Sequence, residues 1–390
     1  MAHQITQTDL DILGQSTQEI YLYIEILNKE MKILDEIQGV AIEANFSIDA
    51  NSEIRRTCDF SIYVLNSTLQ LTENSKIWID KMFRVYLGYK HIRSEEIVKY
   101  KMGIYLPNTY SYTYSYEDHT LSLSGVDLMA RFLPSHGGVL PDMSVVVKAG
   151  ENIRDVMVRT VKDLGHIDKY VIGDIGAEIE PTEDTPDPRL LPYDIELGVG
   201  TSIYDLLVEL KDVWVGWEIF FDEDGVFICQ LIPNGTDDPI LFGDEVWEKL
   251  IISDSNDNVS VENIKNHIVV YGETKDDGTQ IKGEAKDENP ESPFAISKIG
   301  DWVDVKSDAE YEKIFSNDYA RQRAEYELYL ATRLNDTVSL ECVTIPWLEV
   351  NTKISYTPYG KDKAQEYLIK SISLEAASGT SSIELMRFYP

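Results

Sequence analysis

Alternating apolar and polar positions dominate both ends of the chain. In residues 58–64, CDFSIYV, Cys58, Phe60, Ile62 and Val64 fall on one face and Asp59, Ser61 and Tyr63 on the other, the period-two signature of a half-buried antiparallel strand. The preceding GVAIEANFSIDANSE reads as its hairpin partner, with Asp49, Ala50, Asn51 and Ser52 supplying turn chemistry. Arg55 and Arg56 therefore sit where a hairpin leaves its turn and enters the second strand. MFRVYLGY, MGIYLP and HTLSLSG add further strands, so residues 1–133 are expected to form a small β-sheet or barrel.

The pattern changes over residues 134–250, which read as an α+β region. After PSHGGVLPD, the residues Ile153, Val156, Met157, Val161 and Leu164 follow helical spacing and Gly165 supplies a stop, predicting a helix over 151–164. A loop dense in Pro, Asp and Glu leads to a second helix over 202–212, capped by Thr201 or Ser202. Asp224 and Gly225 between apolar runs predict a hairpin over 217–232.

Residues 251–390 return to strands. NIKNHIVVYGE opens this region, a polar stretch at about 275–305 reads as an insertion or mobile loop, and a helix at about 317–334 lines Ala320, Ala324, Leu328 and Ala331 along one face. Strands close the chain. WIDKMFRV at residues 78–85 and WLEVNTKI at 347–354 share Trp, aliphatic, acid, three variable positions, base and β-branched residue. Each also precedes a further strand, marked by Ile104 and Ile372. Two related β-domains in one chain would produce this echo.

Charge narrows the function. With 68 acids against 35 bases the net charge is −33, which repels phosphate and weighs against nucleic-acid or anionic-membrane binding over most of the surface. No apolar run approaches the roughly 20 residues that span a bilayer, and the opening residues lack a secretory pattern, so a soluble protein retained where it is made is expected. Cys58, Cys229 and Cys342 are odd in number and far apart, which fits small core residues in a reducing compartment.

Catalytic signatures are missing. There is no His-Glu-x-x-His, Cys-x-x-Cys, Gly-x-Ser-x-Gly, P-loop or dinucleotide fingerprint, and no cofactor or metal is expected. FFDEDGVF puts Phe220 and Leu231 at the first and last calcium-ligand positions, and SDSNDNVSVEN, with Asp254 first, puts Val259 in the glycine slot and Lys265 last, so both read as turns. A glycosidase's acid pair would leave no fixed trace among so many carboxylates.

Taken in order, SIDANSEIRRTCDFSIYV, WIDKMFRVYLGY, LSLSGVDLMARF, IELGVGTSIYDLLVELKDVWVGWEIFFDEDGVF, ENIKNHIVVYG and CVTIPWLEVNTKISY resemble the baseplate hub family of phage tails and of phage-derived contractile injection systems of Gram-positive bacteria. The resemblance implies a mainly β fold with an α+β middle: two tail-tube-like β-barrels, over 1–133 and 251–390, flanking the α+β domain. It implies a homotrimer whose six barrels form a pseudo-sixfold ring between a hexameric tail tube and a trimeric spike. Tape measure and other baseplate proteins are further expected partners, in a particle assembled in the bacterial cytoplasm. In such a ring Arg55 and Arg56 are expected to be subunit-interface residues, pairing with carboxylates of the adjoining barrel or of the tube. Solvated strand-end charges are the alternative. Two other functions stay open: a tail-associated wall hydrolase, and a carbohydrate- or receptor-binding module using the many tyrosines.

Overall fold

A computed structural model describes the chain apart from residues 1–4, 38, 65–76, 115–118, 141–144, 184, 234–245, 247–248, 260–263, 276–277, 308–312, 334–335, 358–362 and 388–390. Helix α1 (Gln7–Leu13), capped reciprocally by Thr6 and Asp9, precedes β1 (Ile20–Leu27), β2 (Ile33–Ile37), β3 (Gly39–Asp49), β4 (Arg56–Val64), β5 (Met82–Lys90), β6 (Ile97–Tyr114) and β7 (His119–Asp127). The middle holds β8 (Val145–Val147), α2 (Ile153–Arg159), β9 (Tyr170–Ile172), β10 (Ile195–Leu197), α3 (Ile203–Lys211), β11 (Trp217–Phe221) and β12 (Phe227–Leu231). The last part contributes β13 (Ile251–Val259), β14 (His267–Thr274), β15 (Gln280–Lys286), α4 (Ile296–Ile299), β16 (Val303–Lys306), α5 (Asn317–Arg333), β17 (Asp336–Val343), β18 (Lys353–Tyr356), β19 (Gln365–Glu375) and β20 (Thr380–Arg387).

The protein is mainly β with an α+β middle. Twelve strands form one sheet in the order β13-β17-β20-β19-β3-β4-β7-β6-β5-β1-β2, with β18 also on β19. Within it β3, β4, β7, β6 and β5 succeed one another as do β13, β17, β20, β19 and β18, every pair antiparallel. The likeness extends to single residues. Pro107 pairs with Gly125 and Thr109 with Ser124, leaving Asn108 as a bulge; Ile369 pairs with Leu385 and Ser371 with Glu384, leaving Lys370 as one. Ala41 and Glu43 flank a second bulge opposite Ile62 and Ser61, as Ile251 and Ser253 do opposite Cys342 and Glu341. Bulges locally bend and retwist a strand and are retained where that bend matters, so two bulges at matching places identify an internal structural repeat.

The echo expected from the tryptophans thus has a counterpart in topology, with one correction to its spacing. Leu123 pairs with Phe60 and Tyr110, as Ile383 pairs with Leu340 and Ile372. Tyr110, not Ile104, is therefore the counterpart of Ile372. Differing chain lengths before β6 and β19 hid this from a comparison anchored on Trp78 and Trp347.

A second correction concerns the two barrels. Among the described residues no sheet closes into a barrel; the two repeats share one open sheet instead. Its join is β3 with β19, from Asp49 opposite Ser371 to Asn45 opposite Glu375. The cause is the length of β19. Its first residues take β18 on one edge, and the remainder of that edge, from Ser371 on, is left for β3. The edge demand of one repeat is met by the other.

The apolar core divides differently from the chain order. Phe60, Phe83, Leu123, Leu340, Ile369 and Ile383 belong to one cluster under the large sheet. Ile268, Val270, Ile281, Ala320 and Ala324, although late in sequence, join Phe132, Met157, Leu207 and Trp214 in a second cluster. They come from the sheet β15-β14-β16 and from α5, which lies across it. The polar stretch around 275–305 is consequently no mobile loop: β15 alternates with Ile281, Gly283 and Ala285 inward, a period-two pattern that small residues disguised. The contact is close, because a Cβ on Gly283 would lie 2.1 Å from the Ala320 carbonyl carbon. SDSNDN is likewise not a turn but part of β13, paired with β17. Between 151 and 164 the chain is α-helical to Arg159 and then π-helical through Leu164.

Candidate functional site

Three parts of the chain meet at the arginine pair. The β3–β4 turn carries Arg55 and β4 opens on Arg56, the β11–β12 hairpin carries Glu218 and Gln230, and the loop between β17 and β18 carries Trp347, Glu349 and Asn351. A cleft of ≈ 790 Å³ opens at this junction. Both arginines are almost wholly buried, at 5% and 2% exposure, where an unpaired charge would be prohibitive.

Each is paired within the chain. The Arg55 guanidinium donates to Glu218, itself 6% exposed, and lies 3.9 Å from the centroid of the Phe220 ring. Glu218 also accepts from Asn351 Nδ2 at 2.6 Å and Gln230 Nε2 at 3.0 Å, so it gathers donors from all three parts. Asn351 reaches it from a left-handed backbone, φ 57°, which Asn tolerates better than most residues. Its own N–H donates to the Ile369 carbonyl at 2.7 Å.

Arg56 pairs with Glu349 of the second repeat. Burial alone would lower its guanidinium; the charge of Glu349 and its hydrogen bond outweigh that, so the net shift is upward. Its backbone N–H donates to Asp127 Oδ2 at 2.9 Å, and Asp127 Oδ1 accepts from the Met129 N–H at 2.9 Å, capping the 3₁₀ turn over Leu128–Phe132. Burial raises the Asp127 carboxyl to about 6 despite these donors. Trp347 packs against Tyr100, ring centroids 5.0 Å apart, and completes the wall between the repeats.

The structure thus brings Arg55 and Arg56 together with carboxylates of the same chain. Sequence reasoning did not single out Glu218, Asn351 or Asp127. Glu218 carries a signal in retrospect: it is the lone acid in the strand WEIFF, and an acid in an apolar strand needs a partner. Glu349 was already visible as the acid of the WLEV echo, whereas its counterpart Asp80 is exposed and pairs with the adjacent Lys81. FFDEDG is a turn in which Asp222 accepts from the N–H groups of Asp224 and Val226, with Gly225 at φ 70°. Among the described residues no group of three His, Cys, Asp or Glu side chains is arranged to hold a metal ion.

Residues 291–390 match a family model described only as a domain of unknown function, DUF5048. No curated protein matches the chain. Solved structures do. The 43 kDa tail protein of prophage MuSo2 from Shewanella oneidensis superposes with TM-score 0.60 at 14% identity, covering 93% of this chain and 98% of that one. A tail protein from Neisseria meningitidis MC58 superposes with TM-score 0.61 at 12% identity, covering 94% and 96%. The prophage tail protein gp18 from Listeria monocytogenes EGD-e gives TM-score 0.53 at 10% identity, covering 93% and 94%. At such identities the likeness is one of fold: nearly the whole chain has the architecture of phage tail proteins.

Proposed function

We propose that this chain is the structural baseplate hub of a phage tail or phage-derived injection particle. Three copies would form a ring that joins a hexameric tail tube to a trimeric spike. The observation that carries this reading is the internal repeat. Each chain has two five-strand units of one topology set edge to edge in one sheet, so three chains present six similar units on one side while keeping threefold symmetry on the other. The tail-protein fold supports the same reading, and tape measure and other baseplate proteins are its further expected neighbours. No catalytic role is assigned.

The subunit-interface role expected of Arg55 and Arg56 becomes an indirect one here. Both guanidiniums are engaged inside the protomer, and by holding the middle hairpin and the β17–β18 loop against the first repeat they set the shape that each protomer offers to the next. Domain limits near residues 133 and 250 are proposed on the same basis, as the points where the sheet gives way to the middle region and returns.

Negative-stain electron microscopy with light scattering tests the proposal, on the purified chain alone and with the products of neighbouring genes. A threefold annulus with a central hole, at three times the 44.4 kDa chain mass, is expected. A chain that stays monomeric with every neighbour present overturns it.

A further inference from the structure

Quasi-equivalence between the repeats assigns the strand that would join one protomer to the next. Inside the chain, the seam pairs β3 of the first repeat with the later half of β19 of the second. The topological counterpart of β3 is β13, and that of β19 is β6. Among the described residues β13 ends the sheet with β17 as its only strand partner, and β5 leaves β6 at Tyr105, which pairs with both Phe83 and Asp127 and so has a neighbour on each edge. Among the described residues no strand continues along the β5 edge of β6 beyond that point. Among the described residues, the edge of β6 that corresponds to the internal seam is thus without a strand partner, and so is the outer edge of β13.

We propose that β13 of one copy pairs antiparallel with residues 108–113 of β6 in the next copy, repeating the internal seam between subunits. The occupant is a second copy of this chain, because the chain itself already contains the matching contact. The inference rests on the ring reading and adds to it a register. Ser47 pairs with Thr57, which pairs with Val126; Asn258 pairs with Thr337, which pairs with Met386. Ser111 pairs with Ser122 as Ser373 does with Ser382. Since Ser373 faces Ser47 across the internal seam, Ser111 faces Asn258 across the external one, and Tyr110 faces Val259.

Hydrogen bonding selects the position for a test. The Ala50 N–H donates to the Lys370 carbonyl at 3.0 Å and the Ala376 N–H to the Ala44 carbonyl at 2.9 Å. Alternation along the strand then makes Ser47–Ser373 a non-hydrogen-bonded pair, whose Cα atoms lie about 4.5 Å apart, within disulfide reach. Asn256 bulges in β13 where β3 runs straight, so Ser111–Asn258 inherits that geometry on the Asp257–Val259 side of the bulge. The three native cysteines are buried and do not compete.

The experiment compares two double variants of the purified chain under mild oxidation, read by non-reducing gel, with light scattering on the same samples. S47C/S373C should close a disulfide within one chain at any concentration, calibrating the register. S111C/N258C should give reducible dimers and trimers and nothing larger, while S111C and N258C alone give none. A trimer by light scattering in which S111C/N258C fails to link, while S47C/S373C closes, overturns the seam and leaves the ring standing. A variant that remains monomeric alongside a monomeric unmodified chain overturns both. Linking by S111C alone, which requires two β6 edges to face each other, also overturns the assignment.

Discussion

Removing the charge of Glu218 tests whether the junction holds the protomer together. Two unit charges about 4 Å apart at an effective dielectric of about 20 attract by about 4 kcal/mol, and Arg55 and Glu218, at 5% and 6% exposure, are little screened by solvent. Glu218→Met leaves the guanidinium buried with only the Phe220 ring face and strips Asn351 and Gln230 of their acceptor. The expected loss is about 4 kcal/mol, as for other buried pairs deprived of one partner. Arg55→Met leaves Glu218 two amide donors and should cost about 3 kcal/mol. Because an apolar pair of similar volume can substitute for a buried ion pair, the double variant should lose only about 1–2 kcal/mol, giving strong coupling in the mutant cycle. Urea unfolding followed by tryptophan emission is suited to this, since Trp217 adjoins Glu218. With m of about 3 kcal/mol/M or more for a chain of this size, the Glu218→Met midpoint should fall by about 1 M. Additive single costs, or singles below about 1 kcal/mol each, as for surface pairs, would refute the buried-brace argument.

Gly283→Ala forces a Cβ into the backbone of α5 at Ala320 and should destabilise by about 2–3 kcal/mol; an unchanged melting temperature would show that the helix can lift at no cost. For Asp127, burial raises the folded-state value to about 6 from 3.8. The folded chain therefore holds this proton more tightly than the unfolded one, and the group's contribution is full below about 3.8 and lost as pH rises through about 6. The melting temperature of the native chain, relative to Asp127→Asn, should accordingly rise when pH drops from 7 to 5; a constant difference would count against the shift. His267 has its ring nitrogens 2.7 Å from Asp301 and 3.1 Å from Glu284, so His267→Ala should cost about 1–2 kcal/mol, measured by the same melts.

Strand alternation in CDFSIYV and the Asp224-Gly225 hairpin was legible because period two and turn chemistry are local properties. What escaped was non-local or carried by small residues. QIKGEAK hid a strand because Gly283 and Ala285 do not register as apolar, although against α5 only small residues fit. SDSNDN has turn composition, yet β17 recruits it through its backbone, which is indifferent to side-chain polarity. The arginine pair stood out as two adjacent positive charges, but Glu218 lies in β11, Asp127 at the end of β7 and Asn351 in the loop between β17 and β18, and no spacing rule connects them. The one open sheet escaped as well, since nothing near residue 45 announces a partner near residue 375.

That pairing also sets a timetable. Asp49 lies opposite Ser371, so on a ribosome working at about 5–20 residues per second, β3 waits on the order of 15–60 s for its strand. Meanwhile its bare edge is an invitation to any other nascent chain nearby. The first repeat can therefore reach its final state only once β19 has been made, and copies synthesised side by side depend on that late strand to keep their early ones apart.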